Sequence, residues 1–241
     1  MKLKLPVTAA VAALGVLAAG AANAVTFTAS GTGGDGAESA SAVITTGTNS
    51  LTVVLSSLIN NPTAAGQEVS DLQIFLATLP STVSLGSATG TTINIAPGGA
   101  TTAGGSITHW GAAISGGSIF LATAGTGAPG GSPNDLIIGT GPYTNANPSI
   151  TGRNPQIQGT GTFVLNFTGL AAPSVTGVNF SFGTGPDNFL PGVCTANCPV
   201  INPTGGGIPE PATWAMMLLG FGGLGSVLRM QRRRLRTSLV A

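Results

Sequence analysis

Between residues 25 and 182 apolar positions recur with period two in short runs, separated by Gly, Pro and Asn. That period sends alternate side chains to opposite faces of a strand. The first runs are 25–29 (VTFTA), 42–46 (AVITT) and 51–55 (LTVVL), and Gly47, Asn49 and Ser50 supply a hairpin turn between the last two. A loop with Asn60, Asn61, Pro62 and Gly66 precedes 69–79, where 71–76 (DLQIFL) reads as a half-buried strand. Runs at 82–85, 91–95 and 118–121 continue the series. Phe163, Leu165 and Phe167 share one face of 161–168, and Val178, Phe180 and Phe182 one face of 175–182. Residues 124–155 are rich in Gly, Pro and Asn around the apolar run Leu136, Ile137 and Ile138, and read as the longest loop. No stretch of useful length has the helical period. Roughly ten short strands at this spacing predict an all-β domain, an antiparallel β-sandwich of jelly-roll-like type. A β-solenoid ranks second, because the Thr-Gly dipeptides keep no constant repeat period.

The two ends break this pattern. Lys2 and Lys4 precede an apolar run at 5–20, and Ala22-Asn23-Ala24 has the small-x-small form of a signal-peptide cleavage site. Residues 1–24 therefore read as a signal peptide for the Sec translocon, with the mature chain starting at Val25. At the other end 212–228 contains no charged side chain, and Trp214 stands where an interfacial anchor belongs. Seventeen helical residues would span roughly 25 Å, a little less than a hydrocarbon core of about 30 Å. Arg229, Arg232, Arg233, Arg234 and Arg236 follow as a basic tail at 229–236. The positive-inside tendency keeps that tail cytoplasmic and turns the domain outward. The expected organisation is a signal peptide at 1–24, a β domain at 25–193, a linker with a cysteine pair at 194–207 and a sorting segment at 208–236.

Charge changes the picture once the ends are set aside. The whole chain has 8 basic and 7 acidic residues, yet between 25 and 208 Arg153 is the only Lys or Arg. Against it stand Asp35, Glu38, Glu68, Asp71, Asp135 and Asp187, so the domain carries 1 − 6 = −5. Such a surface cannot neutralise a run of phosphates, which excludes nucleic acid as a partner. Solubility rests on Ser, Thr, Asn and exposed backbone, as suits an exported β protein.

Candidate chemistry is sparse. Cys194 and Cys198, the only two cysteines, are expected to close a small disulfide loop. With one histidine in the chain they make a poor metal site, and neither a metal nor a cofactor is expected. His109, beside Trp110, reads as a strand-edge or packing residue; catalysis would require a serine and an orienting carboxylate, and no G-x-S-x-G elbow marks one. Asp35 with Glu38 and Glu68 with Asp71 read as solvated loop charges, with a Ca²⁺ site as the alternative. A pair of glycosidase carboxylates has nothing in the sequence to favour it. Outward threonines on strands suit a glycan- or ice-binding face, but equally the ordinary solvent face of a weakly charged sheet.

The order Pro209-Glu210-Pro211, Trp214-Ala215-Met216-Met217, Gly220-Phe221-Gly222 and the arginine run resembles the PEP-CTERM sorting signal of Gram-negative bacteria, in its PEPxxWA form. The resemblance covers residues 208–236. It implies recognition by an exosortase, a membrane-embedded cysteine transpeptidase, with cleavage at or near Pro209, Glu210 and Pro211. It further implies transient anchoring in the inner membrane, N-terminal side out, before release to the cell surface or extracellular matrix. The expected function is that of a non-enzymatic structural or adhesive protein associated with exopolysaccharide. The alternatives are a secreted carbohydrate-active hydrolase and a Thr-rich ice- or glycan-binding protein.

Overall fold

The computed structural model describes residues 24–129, 133–185 and 189–199. Among them thirteen strands form one connected sheet, with a single four-residue helix. In chain order the strands are β1 (Ala24–Gly33), β2 (Gly36–Gly47), β3 (Ser50–Ser57), β4 (Val69–Leu76), β5 (Thr82–Ile95), β6 (Thr101–Ala103) and β7 (Gly111–Ser115). They continue with β8 (Ser118–Ala122), β9 (Ile137–Ile138), β10 (Gln156–Thr168), β11 (Val175–Phe182), β12 (Phe189–Pro191) and β13 (Val193–Ala196). The helix α1 is Pro148–Thr151, capped by the Asn147 side chain, which accepts from the Ser149 amide.

The hydrogen-bonded path runs β12-β11-β4-β9-β10-β3-β2-β1-β13; β5 and β6 branch from β10, and β8 and β7 from β4. The alternation seen in the sequence decides which face is covered. Phe27 and Ala29 of β1, Ala40, Ala42 and Ile44 of β2, and Leu51, Val53 and Leu55 of β3 are all buried. They join Leu72 and Ile74 of β4 and Val178, Phe180 and Phe182 of β11 in one core cluster. Both ends of the path contribute to that cluster, so the sheet doubles back over its own apolar face. Leu190 of β12 accordingly lies over Gly31 of β1. A second, smaller cluster gathers Ile93, Ile95, Ile138, Tyr143 and Ile150.

Several details depart from the sequence reading. Pairing is not purely antiparallel, since β9 runs parallel to β10. The runs at 82–85 and 91–95 are one strand of fourteen residues, β5, whose register shifts opposite Val164 and Leu165. Glycines that read as breaks serve there as bulge positions: a Cβ on Gly86 would lie 2.4 Å from Asn166 Nδ2. β4 is buried along most of both faces, not on one, because β8, β9 and β11 all pair with it. The supposed loop at 124–155 contains β9 and α1 and buries Leu136, Ile137 and Ile138 completely. Within it the backbone of Gly139 approaches Ile59 so closely that no side chain fits, a Cβ there meeting the Ile59 carbonyl.

The expected linker also starts too early at 194. Residues 193–196 are β13, which pairs antiparallel with β1, and Cys194 packs against the core. Four residues, Val193-Cys194-Thr195-Ala196, are too short a run to give a local sign of a strand whose partner is about 170 residues away. Pairing with β1 supplies the sign instead, the Asn197 side chain donating to the Ala24 carbonyl at 2.8 Å.

Candidate functional site

Three groups of polar side chains stand out from the apolar framework. The first lies at the β1–β2 hairpin. On β2 the inward positions run Glu38, Ala40, Ala42 and Ile44, so the sheet pleat itself turns the Glu38 carboxyl toward the covered side. Glu38 is 8 % exposed, and its carboxyl lies over Gly33. The Asp35 carboxylate, at the hairpin tip, lies against Gly66. Both line a cleft of about 280 Å³ walled by Gly34, Gly66, Gly183 and Gly185, with Ser149 at its side. Gly183 holds φ of +81°, and its backbone approaches that of Gly66 too closely for a side chain. Burial, and then the neighbouring Asp35 charge, push the Glu38 carboxyl above its ordinary range. The reading of Glu38 as a solvated loop charge is therefore corrected: the strand begins at Gly36 and carries the residue inward.

The second group is centred on Asp135, which is wholly buried with a left-handed backbone. Its Oδ2 accepts from the Thr108 amide at 2.7 Å, the His109 amide at 2.9 Å and His109 Nδ1 at 2.9 Å. Its carbonyl accepts from the Trp110 indole at 2.8 Å, and its own amide donates to the Pro155 carbonyl. Asp135 thus ties the 108–110 loop, the start of β10 and the segment before β9 to one another. His109 is 34 % exposed on its side chain and is held by a carboxylate, not by packing or a strand edge as the sequence suggested. Its outer nitrogen, Nε2, faces the Asn134 amide at 3.5 Å. The hydroxyl nearest the ring, that of Thr108, meets Nδ1, the nitrogen already engaged by Asp135.

The third group surrounds the start of β4, where Glu68 and Asp71 are buried, contrary to their expected exposure. Gln156 and Arg153 favour the ionised form of Glu68, but neither Glu68 carboxyl oxygen makes a hydrogen bond of good geometry. Desolvation is the larger effect and holds the Glu68 carboxyl well above its ordinary range. The folded state consequently binds this proton more tightly than the unfolded state. Stability contributed here is present at low pH and falls as pH rises above about 4.5, until the folded group itself ionises, with a slope of up to about 1.4 kcal/mol per pH unit. Glu68→Gln is expected to raise the thermal midpoint at pH 7 and to flatten its decline between pH 5 and 7. Calorimetry across that range checks both, and an unchanged slope would contradict the assignment.

The outward face of β5, β10, β3, β2 and β1 is of another kind. Register places Thr89, Thr162, Val54, Val43 and Thr26 in one row across five strands, and Ser87, Val164, Thr52 and Thr45 in the next. Hydroxyls pair directly across strands, Thr82 with Thr168 at 2.6 Å and Ser56 with Thr160 at 2.8 Å. These rows are uncharged throughout.

Of the residues singled out by the sequence, Cys194 and Cys198 are joined by a disulfide with Cα atoms 5.6 Å apart, at the end of β13. Ala24 opens β1 opposite Thr45. Ala22 lies outside the described residues, as do Pro209, Glu210, Pro211, Trp214, Arg229, Arg232, Arg233, Arg234, Arg236, Asp187 and the expected span at 212–228. Among the described residues no helix is long and apolar enough to cross a membrane.

The described part of the molecule is thus an all-β domain, and a recognisable motif follows it in the sequence. Residues 207–234 match the family model of the PEP-CTERM protein-sorting motif, which covers 28 of 241 residues. No curated protein and no solved structure matches the chain. The chain carries a PEP-CTERM sorting motif, which implies an exosortase-type processing partner. The motif speaks for the handling of the protein and leaves the β domain to be read from its own surface.

Proposed function

We propose that the protein is a non-enzymatic structural or adhesive component of the cell surface or extracellular matrix, exported through the Sec translocon and released after exosortase-type cleavage near Pro209, Glu210 and Pro211. Before cleavage it is anchored through 212–228, with Arg229, Arg232, Arg233, Arg234 and Arg236 in the cytoplasm. The β domain acts as a sandwich-type module that associates with exopolysaccharide. The observation that carries this reading is the uncharged hydroxyl-bearing face across five strands, borne by a domain that precedes a sorting motif. A glycan presents hydroxyls of matching chemistry, and neither partner must shed a charge on contact. Of the described carboxylates, Glu68, Asp71 and Asp135 are buried, which leaves the cleft pair Asp35 and Glu38 as those the hydrolase alternative would have to use.

Co-sedimentation of the exported protein with exopolysaccharide from the producing cells tests the reading. Thr52→Lys with Thr162→Lys places two charges in the middle of the face while leaving the core untouched. The wild-type protein is expected to sediment with the polysaccharide and the double variant to stay in solution. Shortening of the polysaccharide would instead favour the hydrolase, and equal behaviour of the two proteins would remove the face from the account.

A further inference from the structure

We propose that the Cys194–Cys198 disulfide is a redox latch on β13. Closed, it holds the strand on β1; opened by an external dithiol, it lets residues 193–198 come away while the rest of the domain stays folded. Three observations converge on this. The first is that β13 is weakly held by its own pairing. Only Val193, Cys194 and Ala196 have partners on β1, and the register shifts between Thr26 and Phe27. No second strand flanks β13, which ends the hydrogen-bonded path. A strand paired so briefly, and on one side only, belongs to the low-stability end of a fold unless something else pins it.

The second observation is where the disulfide sits. It joins Cys194, which packs against the core, to Cys198, just past the end of the strand. The turn it closes holds Asn197 at φ of +50°, and that side chain donates to the Ala24 carbonyl at 2.8 Å. Within the same turn Thr195 Oγ1 donates to the Thr26 carbonyl at 3.4 Å. A cross-link over so short a loop removes conformations that the segment would gain on leaving β1, so breaking it favours departure. The third observation is access. Cys198 and residues 195–197 are exposed, and Cys194 is only half-buried. Exposed disulfides are the ones open to thiol exchange. One thiolate of the dithiol attacks a sulfur and displaces the other, and its second thiol then resolves the mixed disulfide. The reagent leaves as a disulfide, and its two protons end on Cys194 and Cys198 as thiols. Release has a natural limit at Gly192, whose amide donates to the Val178 carbonyl at 2.9 Å. On the other side β1 keeps its full register with β2, from Ala24 opposite Thr45 to Gly33 opposite Gly36. Opening the latch therefore bares the outer edge of β1 and adds residues 193–198, ~20 Å when extended, to the segment that leads to Pro209.

The test is hydrogen–deuterium exchange of the full chain in detergent, before and after millimolar dithiothreitol. Cys194 and Cys198 are the only cysteines, so the reagent has a single target. On reduction, exchange across 193–196 is expected to speed up roughly tenfold or more, while β2 and β3 keep their protection. The double variant Cys194→Ser with Cys198→Ser is expected to exchange like the reduced protein, with or without the reagent. Three results would overturn the proposal: a bond that withstands the reagent in the folded protein, equal protection of 193–196 in both states, or protection lost throughout the sheet. The last would make the disulfide a staple of the whole domain and not a latch on one strand.

Discussion

Replacing Phe163 by alanine is expected to cost ~3–5 kcal/mol of stability, the range for removing a buried aromatic ring. In a domain of this size that corresponds to a fall in thermal midpoint on the order of 10 °C. Phe163 is fully buried on β10, the strand that pairs with both β3 and β5. Its ring meets Trp110 at a centroid distance of 4.5 Å and an interplanar angle of 41°. The hole left by alanine would not close easily. Trp110 is held by its indole hydrogen bond to the Asp135 carbonyl, and Gly161, which sits against the same ring, has no side chain to move in. Calorimetric unfolding checks the figure. A loss below about 1 kcal/mol would mean that the β10 core repacks freely, against the close packing described here.

Asp135→Ala is expected to destabilise the domain by roughly 2–4 kcal/mol, because two backbone amides lose their charged acceptor, a carboxylate that is itself wholly buried. Those amides, of Thr108 and His109, converge with His109 Nδ1 on a single oxygen, Oδ2. Alanine also tolerates the backbone φ of +56° less well than aspartate does. His109→Ala should cost less than about 1 kcal/mol, since the ring is one-third exposed and both amide bonds survive. Urea unfolding of the two variants side by side separates the backbone tie from the imidazole. If His109→Ala proves as damaging as Asp135→Ala, the ring, not the loop backbone, is what the buried carboxylate serves.

The all-β character was legible because period-two alternation survives even where the side chains are small, as in Ala40, Ala42 and Ile44. The same alternation places Glu38 inward, but that signal is diluted by the alanines and serines around it and reads as a loop. Register was harder to see. Gly86 and Gly90 look like breaks in a linear text, whereas opposite β10 Gly86 is a bulge position and Gly90 pairs with Gly161, both within one long strand. The Asp135–His109 tie has no local signature, because it joins residues 26 apart through two irregular segments. Short β9 and β13 were missed for the reason that long-range pairing, not intrinsic propensity, makes them strands. The sorting segment was the opposite case. It is a linear motif, defined by the order of residue types along the chain, and so it can be read without a fold.

The central claim, that the C-terminal motif delivers and releases this β domain, is tested most directly by intact mass and location of the protein in its native cells. The unaltered chain should be found outside the inner membrane, lacking both residues 1–24 and everything beyond the Pro209-Glu210-Pro211 stretch. With those three residues changed to alanine it should remain in the membrane with its arginine tail intact. An unaltered protein that keeps Arg229 to Arg236 and stays in the membrane would contradict the account, and make the segment a plain anchor.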